Sequence, residues 1–210
     1  MHRLKDVYKG DTAILIANGP SLKTVPASFF ENHPTFGSNR IYLFMEPDYY
    51  AAIDDLVVMQ NAADINKLHS VKFVREGMGV PGFQLHSIDN RSLFSYDIVQ
   101  GVNEGFTISY VLLQIIYFMG FKTVLIVGMD HRYTYNGNRK SLQYFTHGDP
   151  NHFSPDYFRN QKWYAPSLYK MAESYRIAKE VYEKDGRRIV NLTPGSDLEV
   201  FERGDIKDWM

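Results

Sequence analysis

Two five-residue runs, 13–17 (A-I-L-I-A) and Thr123–Val127 (T-V-L-I-V), show no polar–apolar alternation. A strand with one wet face alternates polar and apolar side chains. Unalternated runs rich in β-branched residues therefore predict strands covered on both faces of a parallel sheet. Such a sheet needs cover on both sides, and ligands bind in the crevice beyond the carboxyl ends of its strands. The residues after each run are the first to read for chemistry.

Asn18-Gly19-Pro20-Ser21 follows the first run at once. Gly19 permits close approach to the backbone, Ser21 can cap the next turn or donate to a phosphate, and Asn18 offers both donor and acceptor. The same four residues are also ordinary turn formers. A short helix is expected over 27–32, and Thr35–Ser38 reads as a second strand that ends at Asn39. Residues 49–53 form a third, delivering Asp54 and Asp55 to a helix that runs to Leu68. Asp54 either holds ribose hydroxyls or caps that helix. After a fourth strand at 71–74, four glycines and Pro81 between 76 and 104 predict an irregular or edge segment with short strands at 83–88.

At 102–119 a Gly-containing loop opens into an apolar helix, with Thr107, Ile108 and Ser109 at its start. Free N–H groups and the helix dipole favour an anion there, although Thr107 also reads as a plain N-cap. The apolar run 110–119 is too short to span a bilayer and is interrupted by Gln114, so it reads as a buried helix that stops at Gly120. The second unalternated strand delivers Asp130 and His131. Residues 132–164 are polar and aromatic with little periodicity, as expected of a lid over the strand ends. An amphipathic helix over 165–184, a last strand at 188–192 and a tail packed on the surface complete the chain.

With 210 residues and 44% hydrophobic content, one domain spanning 1–210 is expected. Its predicted architecture is a Rossmann-like three-layer α/β/α sandwich with a mainly parallel sheet and a partly irregular lid. A net charge of -1 gives no broad electrostatic case for nucleic acid. The absence of cysteine removes disulfides, thiolate metal sites and a cysteine nucleophile. The first residues lack the apolar core of a secretory signal, so the expected location is cytoplasmic, compatible with a peripheral place at the inner membrane face. The abundant aromatics are compatible with a homo-oligomer.

The strand ends together gather Asn18, Gly19, Pro20, Ser21, Asn39, Asp54, Thr107, Ile108, Ser109 and Asp130 as a candidate nucleotide-binding set. Neither a G-x-G-x-x-G after the first strand nor a G-K-[ST] is present, which lowers hydride transfer and P-loop chemistry. For a phosphate-containing donor, a general base must activate an acceptor hydroxyl. His152, in N-H-F-S-P-D-Y, is the first candidate and His131 the reserve. Tyr133, Tyr135 and Tyr144 can hydrogen-bond a departing phosphate in place of a metal. Asp130 with His131 or Asp149 is the weaker option of a Mg²⁺ site.

Several motifs carry a resemblance: A-N-G-P-S-L, G-x-T-x-S-Y, G-F-K-T-V-L-I-V-G-M-D-H, N-H-F-S-P-D-Y and N-L-T-P-G-S. Together they resemble a family known mostly as a domain of unknown function, which includes the archaeal 6-hydroxymethylpterin diphosphokinases. The chain is also similar to the bacterial CMP-sialic-acid-dependent sialyltransferases. That resemblance implies CMP contacts at Asn18, Gly19, Ser21 and Asn39, a phosphate near Thr107, and His152 as base. Ile108-Ser109 departs from the Ser-Gly of those enzymes, and Asp54 from their Asn. Three readings follow. The first is a metal-independent transferase taking a sugar, such as a nonulosonic acid, from a CMP-linked donor to a glycan acceptor, with no obligatory cofactor. The second is an ATP- and Mg²⁺-dependent pterin diphosphokinase with Asp130 and Asp54 on the metal. The third is a nucleotide-binding module without chemistry.

Overall fold

The computed structural model describes residues 1–88 and 93–210. Residues 89–92 of the expected irregular segment lie outside the described residues. Strands β1 (Thr12–Ile16), β2 (Thr35–Ser38), β3 (Tyr49–Ala52), β4 (Val71–Arg75) and β5 (Phe83–Leu85) run outward in one direction from the centre of a sheet. On the other side of β1 lie β8 (Thr123–Val127), β11 (Arg188–Asn191) and β12 (Glu202–Arg203). The order β12-β11-β8-β1-β2-β3-β4-β5 is parallel at every pairing. The fold is Rossmann-like α/β. A minor parallel pair joins β6 (Ser87–Ile88) to β7 (Val102–Asn103).

The unalternated strands are central because each feeds two cores. Ala13, Leu15, Val124 and Ile126 face one cluster, covered by α2 (Ile108–Phe118) and α3 (Leu168–Lys184). Ile14, Ile16, Leu125 and Val127 face the other. That second layer holds α1 (Asp55–Lys67), 3-10 turns at Pro20–Thr24 and Ala27–Glu31, and buried lid aromatics Phe153, Tyr157, Phe158 and Trp163. The lid thus doubles as part of the sandwich. Two expectations change in detail. The lid contains an antiparallel hairpin, β9 (Leu142–Tyr144) with β10 (Lys162–Tyr164), and the tail adds β12 at the sheet edge. Both elements are too short to impose a period on the sequence.

Gln114 is the one polar side chain in the middle of α2, and it is fully buried. Its Oε1 accepts from the Ser95 and Asn103 amides at 3.0 Å each, and its Nε2 donates to the Asn103 carbonyl at 2.7 Å. One amide therefore ties the loop before α2 to the helix. Q114L would strand those main-chain groups, each at about 1–3 kcal/mol. We expect it to lower the unfolding free energy by about 3 kcal/mol, read as a lower urea midpoint at unchanged m-value, and an unchanged midpoint would contradict this role.

Candidate functional site

Strand β1 is where the order reverses: one half of the chain leaves by β2 and the other returns by β8. That point is the switch at which open α/β sheets bind ligands. Its two turns are joined directly. The Gly19 amide donates to the Gly128 carbonyl at 2.8 Å, and a Cβ on Gly19 would stand 1.9 Å from Asp130 Oδ2 and 2.6 Å from the Gly128 oxygen. The Asp130 carboxylate accepts from Ser21 Oγ at 2.7 Å and from the Ser21 amide at 3.3 Å. Ser21 and Asp130 are thus each other's partners, and Pro20 is an exposed first residue of a 3-10 turn. These three residues shape the turn; Asn18 and Gly19 face the opening.

That opening is a cleft of about 770 Å³, within the range of small-molecule sites. Asn18, Gly19, Asn39, Asp54, Thr107, Ile108, Ser109, Asp130, His131, Tyr133 and His152 all line it. Among the described residues, the side-chain oxygens of Asn18 and Asn39 are both buried without a partner. Buried acceptors of this kind are uncommon, and at these two positions a ligand in the cleft can supply the donor. Asn39 is held in place by a left-handed backbone (φ +55°), by its amide bond to the Ala51 carbonyl at 3.2 Å, and by Tyr50 Oη donating to its carbonyl at 2.6 Å.

The helix starts carry more local work. Asp54 Oδ1 accepts from the Leu56 and Val57 amides at 2.9 and 3.1 Å, so it caps α1 while lining the cleft. Thr107 Oγ1 accepts from the Ser109 amide at 3.3 Å and lies 3.4 Å from Tyr175 Oη. Tyr175 and Arg75 also line the cleft and were absent from the sequence-derived set. Tyr175 reads as an ordinary core position of the amphipathic α3. Arg75, bridged to Asp55 and Glu104 at 3.2 Å each, stands at a strand end and was open to notice there.

The lid brings in His152. Its Nδ1 lies 2.6 Å from Oδ2 of Asp149, a fully buried side chain. A buried carboxylate on Nδ1 fixes the tautomer with the proton there and leaves Nε2 for a substrate. The ring stacks on Tyr157 with centroids 4.0 Å apart and planes 6° from parallel. The Phe153 amide donates to the Asn18 carbonyl at 3.0 Å, which locks this loop to the switch-point turn. Tyr133 approaches the His152 ring edge-on, and burial pushes its phenol above the ordinary value, so it stays a protonated donor at neutral pH. Tyr135 packs against the second core, and Tyr144 is exposed on β9 away from the cleft lining. The lid loop thus delivers one of the three named tyrosines.

No protein-family model matches the sequence, and no curated protein matches it. Among solved structures, the MAf glycosyltransferase from Magnetospirillum magneticum AMB-1 is similar in fold, with a TM-score of 0.60 at 11% identity. The alignment covers 97% of this chain and 35% of that one, so the chain spans about a third of its neighbour's length.

Two tests address the geometry. Adding one methyl group at Gly19 forces the switch-point turns apart, and G19A should lose about 1–3 kcal/mol of stability; a wild-type melting curve would contradict the close approach. His131 has a buried, unpartnered Nδ1, and burial lowers its pKa more than Asp197 and a Leu168 main-chain bond raise it. The unfolded chain then holds more protons than the folded one just below about pH 6.5. Stability contributed by neutral His131 is complete above that pH and is lost as pH falls toward the lowered folded value. H131N, which tolerates the φ of +55° at this position, should flatten that acid limb in urea titrations. Equal slopes for both proteins would contradict it.

Proposed function

We propose that the chain is a glycosyltransferase domain that moves a sugar from a CMP-linked donor to a hydroxyl of a glycan acceptor. The observation that carries the reading is the His152–Asp149 contact of 2.6 Å on the wall of a switch-point cleft. An imidazole oriented in this way can take a proton at Nε2 from an acceptor hydroxyl, whose oxygen then attacks the anomeric carbon as the bond to phosphate breaks. Asp149 stabilises the imidazolium that forms. The start of α2 at Thr107–Ser109 and the protonated Tyr133 are suited to the departing phosphate. Asn18 and Asn39 offer oxygens to the donors of a ribose or a base amino group. The fold shared with the MAf glycosyltransferase supports this class, and the resemblance to the sialyltransferases supports CMP and a nonulosonic acid.

A pterin diphosphokinase would draw on Asp130 and Asp54 for Mg²⁺. Both Asp130 oxygens already accept from Ser21 and Asp54 Oδ1 accepts from the start of α1, which favours the transferase. Among the described residues, no group of three His, Asp or Glu side chains is placed to hold a metal. Calorimetry with CMP, CDP, UDP, GDP and ATP, with and without Mg²⁺, separates the readings. We expect CMP to bind best and equally well in EDTA; preference for ATP with Mg²⁺ overturns the proposal. In a transfer assay H152A should lose about 10²–10⁴-fold in kcat while CMP affinity changes little. An unaffected kcat removes His152 as the base.

A further inference from the structure

Alternation on a two-stranded sheet with one packed face places polar side chains outward. The outer face of the β9–β10 pair is instead mostly apolar. Gln143 and Trp163 point in: Trp163 stacks on Phe158 with rings 5.7 Å apart and 2° from parallel, and Gln143 bonds both polar main-chain groups of Asn136 at 2.8 and 2.9 Å. Outward stand Leu142 opposite Tyr164, and Tyr144 opposite Lys162. The three apolar members are 51%, 55% and 54% exposed for Leu142, Tyr164 and Tyr144. Because the inner face is pinned, the outer one cannot fold away. Scattered exposed apolar residues need no explanation, but a contiguous group on a rigid hairpin marks a contact surface.

The charges on and just before the two strands are all cations: Arg139, Lys140 and Lys162 are exposed and, among the described residues, form no ion pair. The acids of α1, which packs beside β10, are paired, Asp55 with Arg75 and Asp64 with Lys67. Residues 132–148 contain no acid, and the later lid acids are taken: Asp149 by His152 at 2.6 Å and Asp156 by Arg159 at 2.8 Å. We propose that this face docks on an anionic membrane surface. Tyrosine rings settle at the headgroup level, Leu142 reaches the acyl boundary, and the cations meet lipid phosphates. A glycan would use the rings and cations but offers no apolar medium for Leu142. A second copy of the chain would bring like charges together. Tyr164 and Lys140 also line the cleft, so docking sets its mouth at the headgroups. No described helix is long and apolar enough to cross a membrane.

The test is co-sedimentation of the full chain with vesicles of phosphatidylcholine alone or mixed with phosphatidylglycerol. Binding should require phosphatidylglycerol, weaken with salt, and fall about tenfold or more in L142E and in the R139E/K162E pair at unchanged melting temperature. The salt titration of the wild-type protein keeps the test decisive if a variant folds poorly. The proposal is overturned if anionic vesicles are not bound, if the variants bind as well as wild type, if an anionic polysaccharide binds in place of vesicles, or if light scattering shows a dimer that L142E dissolves.

Discussion

The approach of Gly19 to Gly128, with Asp130 closing on Ser21, is the contact on which the rest of the site depends. It joins the turns after β1 and β8, the two strands between which the chain reverses its course across the sheet. Once these turns are held together, Asn18 must face the opening, and its carbonyl is free to accept the Phe153 amide. That bond in turn carries the neighbouring His152 to the cleft wall. A main-chain contact with no room for one methyl group therefore sets the position of a side chain more than a hundred residues after Gly19 in sequence. Strand burial on both faces supplies the rigidity: β1 and β8 feed both cores, so neither turn can shift without disturbing packing on two sides.

The polar groups inside this scaffold divide by whether they have partners. Gln114 is wholly satisfied and acts as an internal brace between α2 and the loop before it. Among the described residues, Asn18 Oδ1, Asn39 Oδ1 and His131 Nδ1 are buried and unpartnered on residues of the cleft, as are Arg40 Nε, Tyr42 Oη, Asn103 Oδ1 and Trp163 Nε1 away from it. The three at the opening are placed where a bound ligand can supply the missing bonds. A Rossmann-like sheet hosts many reactions, so the chemistry lies in the side chains of the cleft.

The central strands were legible because burial on two faces leaves a short unalternated run, and the longer apolar run at 110–119 is set apart by its length. Thr35–Ser38 and Thr123–Val127 match their expected bounds, and the lining of the cleft by Asn18, Asn39 and Thr107 followed from their place just past strands or at a helix start. Asp54 and Thr107 cap their helices, as their residue types allow, and line the cleft as well. What stayed hidden is tertiary. Tyr175 has the helical spacing of a core residue, and only the packing of α3 reveals its hydroxyl beside Thr107. Asp149 sits three residues before His152, yet a loop has no period that says the two meet. Tyr144 has the same composition signal as Tyr133 but lies on the outer face of a hairpin three residues per strand, too short to predict.

The most direct measurement is a crystal structure of the chain with CMP bound. The account predicts the nucleotide in the switch-point cleft, its donors on Asn18 Oδ1 and Asn39 Oδ1, its phosphate at the main chain of Thr107–Ser109, and His152 Nε2 facing the phosphate side. A nucleotide seated at the amino ends of the strands, or in the cleft with its phosphate turned away from α2 and both asparagine oxygens still unpartnered, would contradict it.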